Sequence, residues 1–342
     1  MRAMVLERPD RLAACPLVAR EIARPEATRG MLVARVRACG VWRTDLQLCE
    51  GTLEAHLLPI VPGHQVVGTV ESVGEGVGEA TGVGELGPQP WRPGDRVGVA
   101  WLGGACGVCI ACRSGRENLC VNAQFTGWDA YGGYATHIAV RADFALRLPK
   151  GFDDLAAAPL LCGGVIGYRS FKRSCVKPGG KLGLYGFGAS ALITIQVARH
   201  FGCRVFVATR AERDRERARK LGAEWVGGYD DRPPEALDGA ITFAPSGDVV
   251  RSALRAIDRG GTVAINAIHL DRIPEIPYAE LWWERNLVSV ANFTRADARE
   301  FLELAAEIPV RTSFETHPLE EANAALQRLD AGLVDGAAVL VP

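Results

Sequence analysis

The residues with the clearest chemical capacity are four thiols in a short run, Cys106-x2-Cys109-x2-Cys112-x7-Cys120. Two-residue gaps let one turn aim successive sulfurs at a common point, and Zn²⁺ takes four ligands with Zn–S distances of about 2.3 Å. Four sulfurs leave no open coordination position, so a metal held here is structural. Iron–sulfur ligation is a rival use of close cysteines, but the spacing matches neither ferredoxin pattern. Four free buried thiols are the bland alternative, and the spacing favours one structural Zn²⁺ per chain.

A second constellation is Gly186-Phe187-Gly188-Ala189-Ser190-Ala191. It follows an expected strand, Lys181 to Tyr185, and opens an expected helix, Ala189 to Phe201, the context in which G-x-G-x-x-G/A acquires meaning. The first glycine makes the turn, the second lets backbone approach a pyrophosphate, and the small third residue permits close helix–strand packing. Unpaired N–H groups at the helix start then face the phosphate. At the end of the next strand, where an acidic residue would accept the ribose 2′-hydroxyl of NAD, stand Thr209 and Arg210. With no carboxylate to repel it and a guanidinium at hand, a 2′-phosphate is better accommodated. The expected cofactor is NADP(H) in preference to NAD(H).

The elements that must position these groups fall into two textures. The first 150 residues are short β segments, such as 31–38 and 65–70, with 92–99 a turn running into another strand, separated by glycine and proline, the pattern of a barrel-like β domain. Beyond Lys150, strands alternate with helices: strands at 204–208, 240–243, 262–265 and 287–290, and a charged helix from Glu212 to Leu221. That alternation predicts a doubly wound parallel sheet. The last 50 residues hold helices near 296–307 and 319–330 and a final strand. The Gly-rich segment from Gly74 to Pro90 reads as a surface loop.

Composition narrows the function classes. The 342 residues favour two domains. Lys plus Arg number 39 against 40 Asp plus Glu, which gives no electrostatic reason to expect a nucleic-acid or membrane partner. The longest apolar stretch, 155–167, is interrupted by Pro159 and glycines and is too short to span a bilayer. The first residues lack an apolar signal core, and ten cysteines are too few for a disulfide scaffold, so a cytoplasmic setting is expected.

Taken in order, several motifs resemble the zinc-dependent alcohol dehydrogenases of the medium-chain dehydrogenase/reductase family. They are Ala38-Cys39-Gly40-Val41-Trp42-Arg43-Thr44-Asp45, Pro62-Gly63-His64-Gln65, the four-cysteine lobe, Ala158-Pro159-Leu160-Leu161-Cys162-Gly163-Gly164 and the glycine fingerprint. The resemblance covers nearly the whole chain. It implies an α/β fold with a GroES-like β-barrel catalytic domain, 1–149 plus 292–342, around a Rossmann domain at 150–291. It also implies a homodimer or homotetramer acting on a small-molecule substrate. By resemblance Thr44 hydrogen-bonds the substrate oxygen, Arg43 meets the pyrophosphate, and Asp45 orients His64.

The catalytic centre departs from the family pattern. Family members hold a second, catalytic Zn²⁺ with a Cys two residues before the Thr, a His in the second motif and a Cys in the third. Here His64 and Cys162 stand at the last two positions, but Trp42 occupies the first, and an indole cannot ligate zinc. Gln65 replaces the family's Glu, and Gln47 its relay His. Cys49, Cys39 or Asp45 could substitute as a ligand, but an indole tends to fill the metal's volume and two ligands make a poor zinc site.

The expectation is therefore loss of the catalytic zinc, with Thr44 or the Trp42 indole N–H steadying a developing oxyanion. Such a site suits an already activated acceptor, an enone, an iminium or an electron-poor aldehyde, and zinc-free members of the wider family do reduce conjugated double bonds. The rivals are an ordinary zinc alcohol or aldehyde dehydrogenase with a substituted ligand, and a noncatalytic nucleotide-binding protein. His56, His137, His200, His269 and His317 match no ligand spacing and read as structural or solvent-facing. Trp282 and Trp283 read as packing or interface residues.

Overall fold

The computed structural model describes residues 1–77, 90–308 and 310–342. Most of the expected 74–90 loop, residues 78–89, lies outside the described residues. Tertiary contacts divide the chain into two compact units. One comprises Met1–Cys162, Thr294–Leu302 and Thr312–Pro342; the other comprises Gly163–Phe293 and Glu303–Arg311.

The first unit is built around one long strand, Met31–Val41. Its apolar residues fall on buried positions, and it pairs antiparallel with Gln65–Val73, His137–Arg141 and Ala337–Val341. Two register shifts against Gln65–Val73, between Val33 and Ala34 and between Val36 and Ala38, bend the strand as bulges do. The sheet runs on through Arg96–Val99 and Leu146–Arg147, and at its other end Phe314–Pro318 pairs parallel with Ala337–Val341. Leu32, Val36, Val66, Val70, Val97, Val99, Ile138 and Leu340 form the core that this curvature encloses.

Two features of this sheet place the site. The pairing of Gly40 with Gln65 sets the end of one strand beside the start of the other. The chain leaves the first strand through Trp42 directly into the helix Arg43–Glu50, which Gly51 ends in the left-handed conformation (φ 78°). Residues 42–45 and 62–64 are thereby neighbours although about 20 positions separate them.

The second unit is a six-stranded sheet in which every pairing is parallel. In space the strands run Trp225–Gly227, Arg204–Ala208, Lys181–Tyr185, Leu237–Thr242, Ile257–Ile265, Asn286–Ser289. This is the doubly wound order whose switch point lies between the first strand in sequence and the fourth, where such sheets bind ligands beyond their carboxyl ends. The helix Ala189–His200 buries Ala191, Ile195 and Ala198, the i, i+4, i+7 spacing of one face.

The sequence-expected elements reappear with bounds shifted by a few residues. The charged helix is Glu212–Lys220 and the penultimate helix is Arg295–Glu307. The expected 319–330 helix begins as a 3-10 turn, Leu319–Glu321, before Ala322–Asp330. The apolar 155–167 stretch is divided among short helical segments. Among the described residues, no helix is long and apolar enough to cross a membrane.

Candidate active site and metal centre

The strand-to-helix junction builds the first cluster. Asp45 lies in the first turn of Arg43–Glu50, and its Oδ2 accepts the Trp42 backbone N–H at 2.8 Å, pinning the helix start. Its Oδ1 accepts the Gly63 N–H at 3.1 Å and lies 3.2 Å from His64 Nδ1. Gly63 has φ 97°, and a Cβ there would sit 2.4 Å from the Tyr134 ring, so only glycine permits this approach of the loop. Asp45 and His64 are both almost fully buried.

Burial by itself pushes the His64 imidazole down. Asp45 and Cys162, as neighbouring charges and hydrogen-bond partners, more than offset it and carry it up to about 10. His64 therefore has Asp45 at Nδ1, with Cys162 a further neighbour. Cys162 follows the turn Ala158–Leu161 and keeps 8% exposure, against 1% for His64.

Around this pair stand the substituted positions. Trp42 is half-buried, and its indole N–H has no hydrogen-bond partner among the described residues. Thr44 is buried, with a hydroxyl equally unpartnered among the described residues. Arg43 is exposed and makes no ion pair among them. Gln65 is fully buried with neither amide atom paired, and the Gln47 Oε1 is likewise buried and unpaired.

Cys39 and Cys49 are fully buried in the core of this unit. The Cys39 sulfur packs beneath Gly63 and Gly133. Burial, then the nearby Asp45, raises both thiols well above their ordinary range. Neither joins His64 in a ligand set. Among the described residues, the four lobe cysteines are the one group of three or more His, Cys, Asp or Glu ligand atoms close enough to share an ion.

That lobe fits a metal well. The Sγ atoms of Cys106, Cys109, Cys112 and Cys120 all lie within 4.8 Å of one another. The Cys109–Cys112 and Cys106–Cys120 separations are 3.5 Å and Cys106–Cys112 is 3.9 Å. A tetrahedron with arms of about 2.3 Å has edges of about 3.8 Å. Backbone N–H groups of Val108 and Cys109 lower the Cys106 thiol to about 6. The N–H groups of Cys106 and Asn122 both approach the Cys120 sulfur at 3.4 Å, the hydrogen bonding that thiolate ligands attract.

In the second unit the glycine fingerprint lies where the sheet switches. Gly186 takes φ 94°, and a Cβ would press to 3.0 Å from the Ala244 backbone nitrogen. A Cβ on Gly188 would meet nothing within 4 Å, so its face is open to a ligand. The first backbone bond of the helix is Leu192 N–H to the Gly188 carbonyl, leaving the N–H groups of Ala189, Ser190 and Ala191 for an anion. Phe187 and Ala191 are buried beneath the turn. Thr209, at the end of the second strand, is buried, while Arg210 is exposed and near the Tyr229 hydroxyl. Arg215 Nε donates to the Thr209 carbonyl at 2.9 Å, adding a second guanidinium to that corner.

Two family models match the chain: an alcohol dehydrogenase GroES-like domain over residues 28–150 and a zinc-binding dehydrogenase over residues 189–307. A probable alcohol dehydrogenase AdhA of Mycobacterium tuberculosis is 50% identical over 100% of this chain and 97% of its own length. This chain belongs to the zinc-type alcohol dehydrogenases of the medium-chain dehydrogenase/reductase family. An alcohol dehydrogenase of Geobacillus stearothermophilus is 33% identical over 99% of each chain. The crystal structure of the alcohol dehydrogenase from Aeropyrum pernix superimposes with a TM-score of 0.85 at 26% identity, covering 100% of both chains. As an alcohol dehydrogenase of this family, the protein is an NAD(P)-dependent oxidoreductase with a GroES-like domain and a Rossmann sheet.

Sequence reasoning missed an aromatic column in the GroES-like part of this dehydrogenase. Trp101 packs edge-on against His64, with ring centroids 4.7 Å apart. Phe125 and Trp128 stack on Trp101 at 5.2 and 5.7 Å, and His56 stacks on Trp128 at 3.9 Å. His56 also pairs with Asp129 at 2.7 Å. The only local signal was the Phe125-x2-Trp128 spacing. Of the remaining histidines, His137 lies beside Glu71, His317 between Glu315 and Glu321, and His200 against Phe201.

Proposed function

We propose that this dehydrogenase uses NADP(H) to reduce an activated carbonyl, C=C or C=N group by hydride transfer without a catalytic zinc. The observation that carries the reading is the donor set around His64. Trp42 stands where the family carries a thiolate, the Asp45 oxygens are engaged by Trp42, Gly63 and His64, and Cys39 and Cys49 are buried away in the core. His64 and Cys162 alone do not fit a zinc site, which takes at least three protein ligands. The Cys106–Cys120 lobe, by contrast, would hold one structural Zn²⁺ that stabilises its loop and takes no part in the chemistry.

The bound nicotinamide supplies the hydride. The chain's own contribution is to bind and orient. Thr44 and the Trp42 indole each offer an uncommitted donor for the oxygen or nitrogen on which charge develops. Without a Lewis acid, whose polarisation is worth several kcal/mol, that donation suffices for acceptors already activated by conjugation or charge. Arg43 is a free cation for a pyrophosphate, and Arg210 with Tyr229 forms a corner suited to a 2′-phosphate. The same reading includes a homodimer or homotetramer. It is supported by the exposed Tyr278, Trp282 and Trp283, which lie just before the edge strand Asn286–Ser289.

Metal analysis of the purified chain, together with NADPH consumption on aldehydes, enones and imines, tests the proposal. One zinc per chain with turnover of an activated acceptor is the expected result. Two zincs per chain would return the protein to ordinary zinc catalysis, and tight NADPH binding with no turnover on any acceptor would make it a noncatalytic binder.

A further inference from the structure

The amino ends of the parallel strands carry a concentration of positive charge that the chemistry at their carboxyl ends does not use. A cavity of about 420 Å³ there is lined by Arg232, Arg255, Ala279, Glu280 and Arg285. Each comes from a segment that leads into a strand. Arg232 precedes Leu237–Thr242, Arg255 lies in the last turn of the helix before Ile257–Ile265, and Ala279, Glu280 and Arg285 precede Asn286–Ser289. The glycine fingerprint follows Lys181–Tyr185 and so belongs to the opposite end of the same sheet.

The charges of this lining do not balance. Glu280 is its single carboxylate and is already bound by two guanidiniums. Arg251 Nε and Nη2 donate to it at 2.9 and 2.8 Å, and Arg255 Nη2 donates at 2.7 Å. Arg285 is fixed by neutral acceptors instead, its Nε donating to the Ile257 carbonyl at 3.1 Å and its Nη1 to the Glu280 carbonyl at 3.2 Å. Its charge has no ion-pair partner among the described residues. Arg232 is exposed and makes neither a hydrogen bond nor an ion pair among them. The flanking Asp231 accepts the Gly228 N–H at 2.7 Å and does not pair with Arg232. Pro233 and Pro234 stiffen the backbone that carries Arg232. Three guanidiniums thus share a cavity with one neutralised carboxylate, and the planar guanidinium fork matches phosphate oxygens in pairs.

We propose that this cavity is a second anion site, which takes a small polyanion of the diphosphate class and is separate from the site of the coenzyme's own phosphates. Ala279 is the one apolar residue of the lining, so nothing there grips a base or an acyl chain, and recognition is by charge and hydrogen bonds. The volume exceeds a single phosphate group and falls in the range of small-ligand sites. Arg232 and Arg285 take the phosphate oxygens, and Arg255 adds the N–H groups that Glu280 leaves uncommitted. Glu280, clamped from its other side by Arg251, holds Arg255 in place. The site stands whether or not a metal binds near His64.

Isothermal titration calorimetry of the full-length protein with inorganic pyrophosphate, in saturating NADPH so that the coenzyme site is filled, tests the proposal. The expected result is saturable binding of one pyrophosphate per chain that weakens as ionic strength rises. Arg232→Ala removes an exposed side chain that no other residue depends on, so the fold is left intact. It should weaken pyrophosphate binding at least about tenfold and leave the dissociation constant for NADPH unchanged. Arg210→Glu, at the other end of the sheet, should leave pyrophosphate binding unchanged. Absence of saturable binding at millimolar pyrophosphate overturns the site, as does binding that Arg232→Ala and Arg285→Ala both leave unchanged. Binding seen only when NADPH is left out overturns it too, because the pyrophosphate is then occupying the coenzyme site.

Discussion

Asp45 holds His64 at Nδ1 with the same carboxylate that caps the helix on which Thr44 is carried. The start of the Thr44 helix and the imidazole of the second loop are therefore held by one side chain. The pairing of Gly40 with Gln65 makes this possible by setting both loops at one edge of the strand pair.

Replacing this carboxylate by its neutral isostere separates orientation from stability. Asp45→Asn keeps one oxygen to accept from the backbone but loses the charge that holds His64. We expect kcat for NADPH-dependent reduction to fall about 100-fold. The dissociation constant for NADPH, read by fluorescence titration, should stay within about twofold, because that site is built from other residues. A proportional loss of cofactor binding would show that Asp45 serves only to hold the fold.

The four-cysteine lobe makes a separate prediction. Cys109→Ser removes one of four sulfurs from a cluster whose members all lie within 4.8 Å. Zinc content should fall from one per chain to near zero, and the midpoint of thermal unfolding should drop by about 5 °C or more. Because the lobe lacks an open coordination position, the acceptor specificity of the surviving folded fraction should not change. Atomic absorption alongside calorimetry checks both halves.

What was legible in the sequence was whatever depends on spacing along the chain. The cysteine lobe and the turn at Gly186 each fit within a few residues, and the geometry of each follows from local backbone. The alternation of strands and helices beyond Lys150 likewise predicts the parallel sheet, since each strand needs a crossover. The aromatic column from His64 through Trp101 and Trp128 to His56 was not legible, because its members come from four separate segments joined only by tertiary packing. The burial of Cys49 escaped for a related reason. Its position in the chain offers it as a substitute ligand, but the helix turns it into the core. Tyr229 beside Arg210 was equally hidden, being supplied by the segment after the next parallel strand.

A pH-dependent effect is expected in the second unit. Hydrogen bonds from Arg251, then Arg255, hold the Glu280 carboxyl down to about 2. A carboxylate lowered in the folded state contributes stability that is complete above its unfolded value near 4.5 and is lost as pH falls toward 2. Glu280→Gln should therefore cost about 0.5–1 kcal/mol at pH 7, modest because the group is partly exposed. The difference from the unsubstituted chain should hold from pH 7 to pH 5 and close between pH 4.5 and pH 2. Urea unfolding at a series of pH values reads it directly. A difference that persists unchanged at pH 2 would mean that packing, not charge, is what the substitution removed.

Cofactor choice is the most direct test of the second strand's end. Arg210 is exposed there beside Tyr229, with Arg215 donating to the Thr209 carbonyl. A 2′-phosphate at this corner gains charge-assisted hydrogen bonds worth about 1.5–3 kcal/mol, which corresponds to a tenfold to hundredfold effect. Arg210→Glu removes that donor and places a carboxylate where it repels the phosphate yet can accept the hydroxyls of an unphosphorylated ribose. We expect kcat/KM for NADPH to fall about 100-fold and the value for NADH to stay level or rise, inverting the preference. Because the hydride-donating ring is the same in both cofactors, kcat at saturation should change little, and the loss should appear in KM. Equal losses for both cofactors would place Arg210 in general support of the strand end, and the selectivity would then have to come from residues other than this guanidinium.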